Sequence, residues 1–229
     1  MRDTLLFDLD GTLTDTDALH FEAYRLLLAP YGKSVTHDEY RARIMGLANE
    51  AITAWLFPEL SPAEREAISA RKEELFRGLA ATMTRARGLT ELLDWAEARS
   101  LRTAVVTNAP RANAEMMLDR LGLADRFKTL VIGDELARGK PDPLPYATAL
   151  DRLGRTAADA LAFEDSRSGV ASAAAAGIPT VGLTTGLDAD ALAAAGAVGA
   201  VPHFADPWLL ARLEADFGSA PRAARTHTT

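Results

Sequence analysis

Leu5-Leu6-Phe7-Asp8-Leu9-Asp10-Gly11-Thr12-Leu13-Thr14-Asp15 lies near the start of the chain, an apolar run that ends in two acids and a glycine. If a strand continues through the acids, Asp8 and Asp10 point the same way, because alternate residues of a strand share a face. Both then emerge at the strand's carboxyl end, where open α/β sheets place their chemistry. Gly11 lets the backbone turn closely around whatever the carboxylates hold. Paired carboxylates followed at once by a tight turn are costly unless a cation sits between them. The stretch reads as a magnesium-assisted phosphoryl-transfer site with an aspartate nucleophile.

Working outward, short apolar runs alternate with helical patterns from residue 101 onward. Strands are expected at 101–106, 129–132, 160–163, 179–183 and 199–201, with the first at 4–7. Helices are expected at 111–121, 144–153, 170–176 and 188–195, with Gly154 and Gly177 as stops. This alternation implies an α/β fold, a Rossmann-like parallel sheet with helices on both faces and right-handed crossovers. The segment between Asp15 and Arg87 breaks the pattern. It has no strand signal but several helix starts, among them Thr36-x-x-Glu39 and Ser61-Pro62-Ala63-Glu64. Ile52, Trp55 and Leu56, then Ile68, Leu75 and Leu79, recur at helical spacing and read as a bundle core. The expected organisation is a catalytic core over 1–15 and 87–217 and a helical cap over 16–86, with hinges at 14–16 and 85–88. Residues 218–229 have the composition of a disordered tail.

Three further motifs close later strands in order. Thr103-Ala104-Val105-Val106 ends in Thr107-Asn108; Gly139-Lys140-Pro141-Asp142-Pro143 is a stiff turn that holds a lysine; Leu161-Ala162-Phe163 ends in Glu164-Asp165-Ser166. With the Asp8 motif, these four resemble the signatures of the haloacid dehalogenase superfamily, from residue 8 to about 170. The position of the helical segment resembles the cap of its phosphoglycolate phosphatase and β-phosphoglucomutase branch. The resemblance implies that Asp8 is the nucleophile and Asp10 the general acid and then base. It implies Mg2+ held by Asp8, Asp165 and the backbone carbonyl of Asp10, with Glu164 acting directly or through water. It also implies that Thr107, the Asn108 N–H and Lys140 hold the phosphoryl oxygens. An acid at position 10 favours phosphate esters, since dehalogenating and phosphonate-cleaving relatives lack one there.

The cap bears on the substrate. Asp15-Thr16-Asp17 and His20-Phe21 resemble the start of the β-phosphoglucomutase cap, where the threonine and histidine assist transfer to a second substrate molecule. The mutase carries an arginine in the cap loop that here reads Gly46-Leu47-Ala48-Asn49-Glu50, and Asn49 stands in its place. Arg41 and Arg43 are expected on the solvated face of the preceding helix. The expected activity is hydrolysis of small phosphomonoesters through an aspartyl-phosphate, with Asn49 and His20 facing the substrate. The alternatives are a phosphosugar mutase and, from another class, a non-catalytic binding protein on the same fold. Installing Asn49→Arg would be expected to raise transfer relative to hydrolysis. A receiver domain also pairs acids with Thr and Lys, but it is about half this length and lacks a helical insert.

Composition sets limits. The chain has 229 residues, of which 48% are hydrophobic and 25% charged, proportions that suit a globular protein with a sizeable core. A net charge of −7 and the lack of a basic run argue against nucleic acid or an anionic membrane as partner. Without cysteine there is no disulfide, thiolate nucleophile or Cys-bound zinc. No apolar stretch approaches the roughly 20 residues of a membrane span. The first residues run straight into the first strand, so a cytoplasmic location is expected, for a monomer or small homo-oligomer acting on a small phosphorylated metabolite.

Overall fold

β1 (Thr4–Phe7) is buried along its whole length, as a strand covered on both faces must be. The structure, a computed structural model, describes residues 2–218. After β1 the chain leaves the sheet for four helices, α1 (Asp17–Leu28), α2 (His37–Arg43), α3 (Asn49–Leu56) and α4 (Pro62–Leu79). It returns through α5 (Leu89–Ala98), β2 (Arg102–Thr107), α6 (Arg111–Arg120) and β3 (Thr129–Ile132). Then come α7 (Leu144–Leu153), β4 (Ala160–Glu164), α8 (Arg167–Ala175), β5 (Thr180–Leu183), α9 (Ala189–Ala194), β6 (Gly199–Val201) and α10 (Pro207–Phe217). The strands are parallel in the order β3-β2-β1-β4-β5-β6, so β1 lies inside the sheet with β2 and β4 beside it.

The period of two along the strands divides the core into two layers. Leu5, Phe7, Val105, Leu161 and Phe163 face α5, α6 and α10 through Leu92, Leu93, Met117, Leu209 and Leu213. Leu6, Ala104, Val106, Ala160 and Ala162 face α7 and α8 through Tyr146, Leu150 and Ala173. The helices between β1 and α5 have a cluster of their own, with Tyr24, Leu28, Tyr40, Ile52, Leu56, Phe57 and Ile68 at its centre. Both sequence-predicted capping boxes start helices there: Thr36 with Glu39 opens α2, and Ser61 with Glu64 opens α4.

Helix boundaries differ from expectation where a cap intervenes. The Ala-rich helix begins at Arg167 and not at 170, because the Ser166 hydroxyl accepts the Gly169 N–H at 3.1 Å. The sequence reading named neither α5 nor α10. Leu89, Leu92, Leu93 and Ala96 of α5 nonetheless carry the 3,4 spacing of a buried helical stripe. The tail expected to be disordered lies, after Gly218, outside the described residues. Among the described residues no helix is long and apolar enough to cross a membrane.

Candidate active site

Parallel pairing in register sets Phe7 level with Val105 and with Phe163. Asp8, Thr107 and the pair Glu164-Asp165 therefore leave the sheet at one edge. That edge is the carboxyl end of the strands, at the point between β1 and β4 where the strand order reverses. Thr107 is buried, and its hydroxyl accepts the Ala109 N–H at 2.9 Å. Asn108 uses its side chain as a clamp: Oδ1 accepts the Lys140 N–H at 3.0 Å, and Nδ2 donates to the Lys140 carbonyl at 3.2 Å. A Cβ on Gly139 would lie 2.8 Å from that Oδ1, so a side chain there would displace the clamp. The clamped turn, which contains a cis Lys140–Pro141 peptide, sends the lysine inward. Its buried Nζ donates to Asp8 Oδ1 and Glu164 Oε1, both at 2.6 Å, and to the Val106 carbonyl at 2.7 Å.

Asp8, Glu164 and Asp165 each place a carboxylate oxygen within 4.8 Å of the others. All three are buried, and Lys140 is the ammonium that touches the cluster. Burial and the neighbouring Glu164 push Asp8 up to about 8 against the opposing pull of Lys140. Burial, Asp8 and Glu164 push Asp165 well above the usual carboxylate range. Burial works against the charge of Lys140, but Asp8 and Glu164 outweigh it and hold the lysine protonated. Ionised together, the three carboxylates would carry more negative charge than Lys140 compensates, in a set of hard oxygen donors suited to Mg2+. Gly11 leaves the room: at φ +77° it turns against Asp165, and a Cβ would sit 2.0 Å from Asp165 Oδ2. Glu164 is the most committed member, with Oε1 also taking the Tyr146 hydroxyl at 2.8 Å and Oε2 the Ser166 hydroxyl at 3.2 Å.

The Asp10 carboxylate stands apart from this group. It turns towards α1, where Oδ1 accepts the Thr16 hydroxyl at 2.9 Å and lies 3.0 Å from His20 Nε2. On the other side of the ring, Lys72 Nζ is 2.9 Å from Nδ1. An ammonium only donates, so Nδ1 is the acceptor and the ring proton belongs on Nε2, aimed at Asp10. The ring stacks on Phe76 at 4.0 Å and 5° between planes, which prevents it from turning. Burial raises the Asp10 carboxyl, but the hydrogen bonds from His20 and Thr16 and the charge of Lys72 bring it below its ordinary range.

A pocket of about 100 Å3 opens over these groups and brings Asp8, Asp10, Thr107, Asn108, Lys140 and Asp165 together with His20 and Asn49. Glu164 lies beneath it, fully buried. Arg41 and Arg43 are exposed on α2, as expected of a solvated face. Sequence reasoning missed Lys72, Glu73 and Asn113. Asn49 Nδ2 donates to Glu73 Oε1 at 2.8 Å, Lys72 Nζ approaches the same oxygen at 3.1 Å, and Asn113 Nδ2 donates to Oε2 at 2.6 Å. One signal was present for Lys72. It stands four residues from both Ile68 and Phe76, in the middle of a buried helical stripe.

The model of the haloacid dehalogenase-like hydrolase family matches residues 5–183. A phosphorylated carbohydrates phosphatase of Thermotoga maritima is 35% identical over 206 residues, covering 87% of this chain and 94% of its own. A phosphoglycolate phosphatase of Rhodospirillum rubrum is 34% identical over 220 residues, covering 91% of each chain. The crystal structure of CbbY from Rhodobacter sphaeroides in complex with phosphate superposes with a TM-score of 0.81 at 27% identity, covering 90% of this chain and 96% of that one.

Proposed function

The chain belongs to the haloacid dehalogenase-like hydrolase family, and from that premise we propose that it is a magnesium-dependent phosphatase of small phosphomonoesters that works through an aspartyl-phosphate on Asp8. The observation that carries the reading is the contact of Lys140 with both Asp8 and Glu164 at 2.6 Å, beside an Asp10 gripped separately by Thr16 and His20. One carboxylate is thereby matched to an ammonium and the other to hydrogen-bond donors, so the two acids have different work. Named phosphatases of phosphorylated carbohydrates and of phosphoglycolate among its relatives support the same reading.

In the first step an Asp8 oxygen forms a bond to phosphorus, and the bond from phosphorus to the ester oxygen breaks. Asp10 gives its proton to that leaving oxygen. The free protein holds Asp10 ionised, but a phosphate dianion arriving beside it raises its affinity for a proton by like-charge repulsion, and Asp10 takes that proton from solvent as the ester binds. In the second step Asp10 takes a proton from water, the water oxygen bonds to phosphorus, and the bond to Asp8 breaks. Lys140 stays protonated throughout and balances charge on the transferring group. Thr107 and the Asn108 N–H bind phosphoryl oxygens. Mg2+, held by Asp8, Asp165 and the Asp10 carbonyl with Glu164 behind them, supplies Lewis-acid charge neutralisation when bound. The helical segment 16–86 acts as a lid. Besides the Asp10–His20 contact, Ser168 in α8 donates to the Gly46 carbonyl of the α2–α3 loop.

Removal of divalent cation should abolish phosphate release, and added Mg2+ should restore it. Mg2+ should also raise the melting temperature, because it relieves repulsion among three buried carboxylates. Undiminished turnover in excess chelator would sink the metal assignment.

A mutase reading draws on Thr16 and His20, but it needs a cationic grip on a second phosphate. Asn49 offers an amide in that place, and no arginine lines the pocket among the described residues. β-Glucose 1-phosphate with a bisphosphate primer is therefore expected to give mainly free phosphate and little glucose 6-phosphate. Efficient formation of glucose 6-phosphate would establish the mutase. Glu73 Oε1 lies 2.8 Å from the Asn49 amide, so an arginine installed at 49 would meet Glu73 as well as a second phosphate, and any rise in transfer should be smaller than an unpaired arginine would give.

A further inference from the structure

Glu73 is a buried carboxylate in the pocket wall that the proposed chemistry leaves unused, and it is 5% exposed. Burial opposes its charge, but Lys72 and the Asn49 amide outweigh that and keep it ionised. Its oxygens are unequally occupied. Oε1 meets both Lys72 and Asn49, whereas Oε2 takes only the Asn113 amide, which leaves an acceptor position open. The Asn113 orientation is unambiguous, because its Oδ1 accepts from Arg77 Nη1 at 2.8 Å. Nδ2 must then face Glu73.

The position of Glu73 matters as much as its charge. Glu73, Asn49 and Pro110 line both the pocket over Asp8 and an adjoining cleft of about 780 Å3. An ester whose phosphoryl group sits over Asp8 and whose leaving group extends into the cleft would pass this junction. Lys72 is the cation on that side of the pocket, and its charge is already shared between Glu73 and the His20 ring. Arg77 in the cleft is engaged by Asn113, and Arg138 by Asp142 at 3.0 Å. A carboxylate two or three carbons from the ester oxygen would meet the Glu73 charge, while Arg77, one helical turn along α4, is turned towards the Asn113 amide. A hydroxyl at the same place can donate to Oε2.

The geometry points to Glu73 as a specificity-determining residue that selects phosphomonoesters with uncharged, hydroxylated leaving groups and rejects short phosphocarboxylates. This deepens the phosphatase reading and rests on it. It also separates the chain from its phosphoglycolate-named relatives, whose substrate carries the rejected group.

Matched pairs test it on the full-length protein with Mg2+. Glycerol 3-phosphate is set against 3-phosphoglycerate, and 2-hydroxyethyl phosphate against phosphoglycolate, with p-nitrophenyl phosphate as a control for the chemistry. The hydroxyl member of each pair should lead in kcat/KM by about tenfold, the order of a like-charge contact in a partly buried wall that Lys72 offsets only in part. Glu73→Gln should narrow the ratio by about tenfold, chiefly through a lower KM for the carboxylate member. A merely structural defect would lower both members alike and leave the ratio in place, and that result overturns the inference. So does a wild-type protein that handles the pairs equally or prefers the carboxylates, whether or not the variant folds. Cleavage of p-nitrophenyl phosphate alongside equal pairs would leave the phosphatase reading intact and remove only the role of Glu73. No cleavage of any ester would remove both.

Discussion

Asp8→Asn is expected to abolish turnover of every phosphomonoester, by a factor on the order of 10^4 or more. The amide keeps the size of the side chain and one oxygen, so it can still accept from Lys140, whose Nζ lies 2.6 Å from Asp8 Oδ1. What it lacks is a nucleophile. The fold should survive, and metal-free protein should even gain stability. Burial and Glu164 raise Asp8 to about 8, so its ionisation costs folding free energy as pH climbs towards that value. A group whose pKa is raised on folding stabilises at low pH and loses that contribution as pH rises through its folded pKa. The variant should therefore melt close to wild type near pH 4 in chelator and increasingly above it towards pH 8. Acid-quench labelling of the wild type should place phosphate on Asp8. Substantial activity in Asp8→Asn would point to direct attack by water, and a melting temperature that falls relative to wild type over that pH range would contradict the crowded-carboxylate account.

Asp10→Ala is expected to cost about 100-fold or more, since one residue serves as acid and then as base. The truncation also strands the Thr16 hydroxyl and the His20 ring, which lie 2.9 and 3.0 Å from the lost oxygen. Single-turnover phosphorylation of the protein separates the two steps. Esters with good leaving groups, which need no proton, should phosphorylate Asp8 at closer to the wild-type rate and then stall at hydrolysis. Equal loss for good and poor leaving groups in that first step would contradict the acid role.

Much of this protein was legible from its residues because the signals are local. The run Leu5 to Gly11 contains its own strand, strand end and turn, and parallel pairing brings that end beside Thr107 and Glu164 with little freedom. Thr36 and Ser61 announced their helices because a capping box closes within four residues. Sequence alone thus determined the parallel α/β sheet, the helical insertion and the identity of the residues at the strand ends.

The wall opposite the phosphoryl site was decided only in three dimensions. Lys72 and Glu73 sit in the run Arg71-Lys72-Glu73-Glu74, whose charges read as an exposed face although Lys72 keeps the spacing of the buried Ile68 and Phe76. Their partners His20, Asn49 and Asn113 stand 52, 24 and 40 residues away, so no local spacing could reveal them. Asn108 is a similar case. Its motif pointed to a backbone N–H, but its side chain clamps Lys140, 32 residues distant. A charge is tolerated in a buried place only where the whole fold supplies its complement, so which charges turn inward is a property of the tertiary structure and not of any one segment.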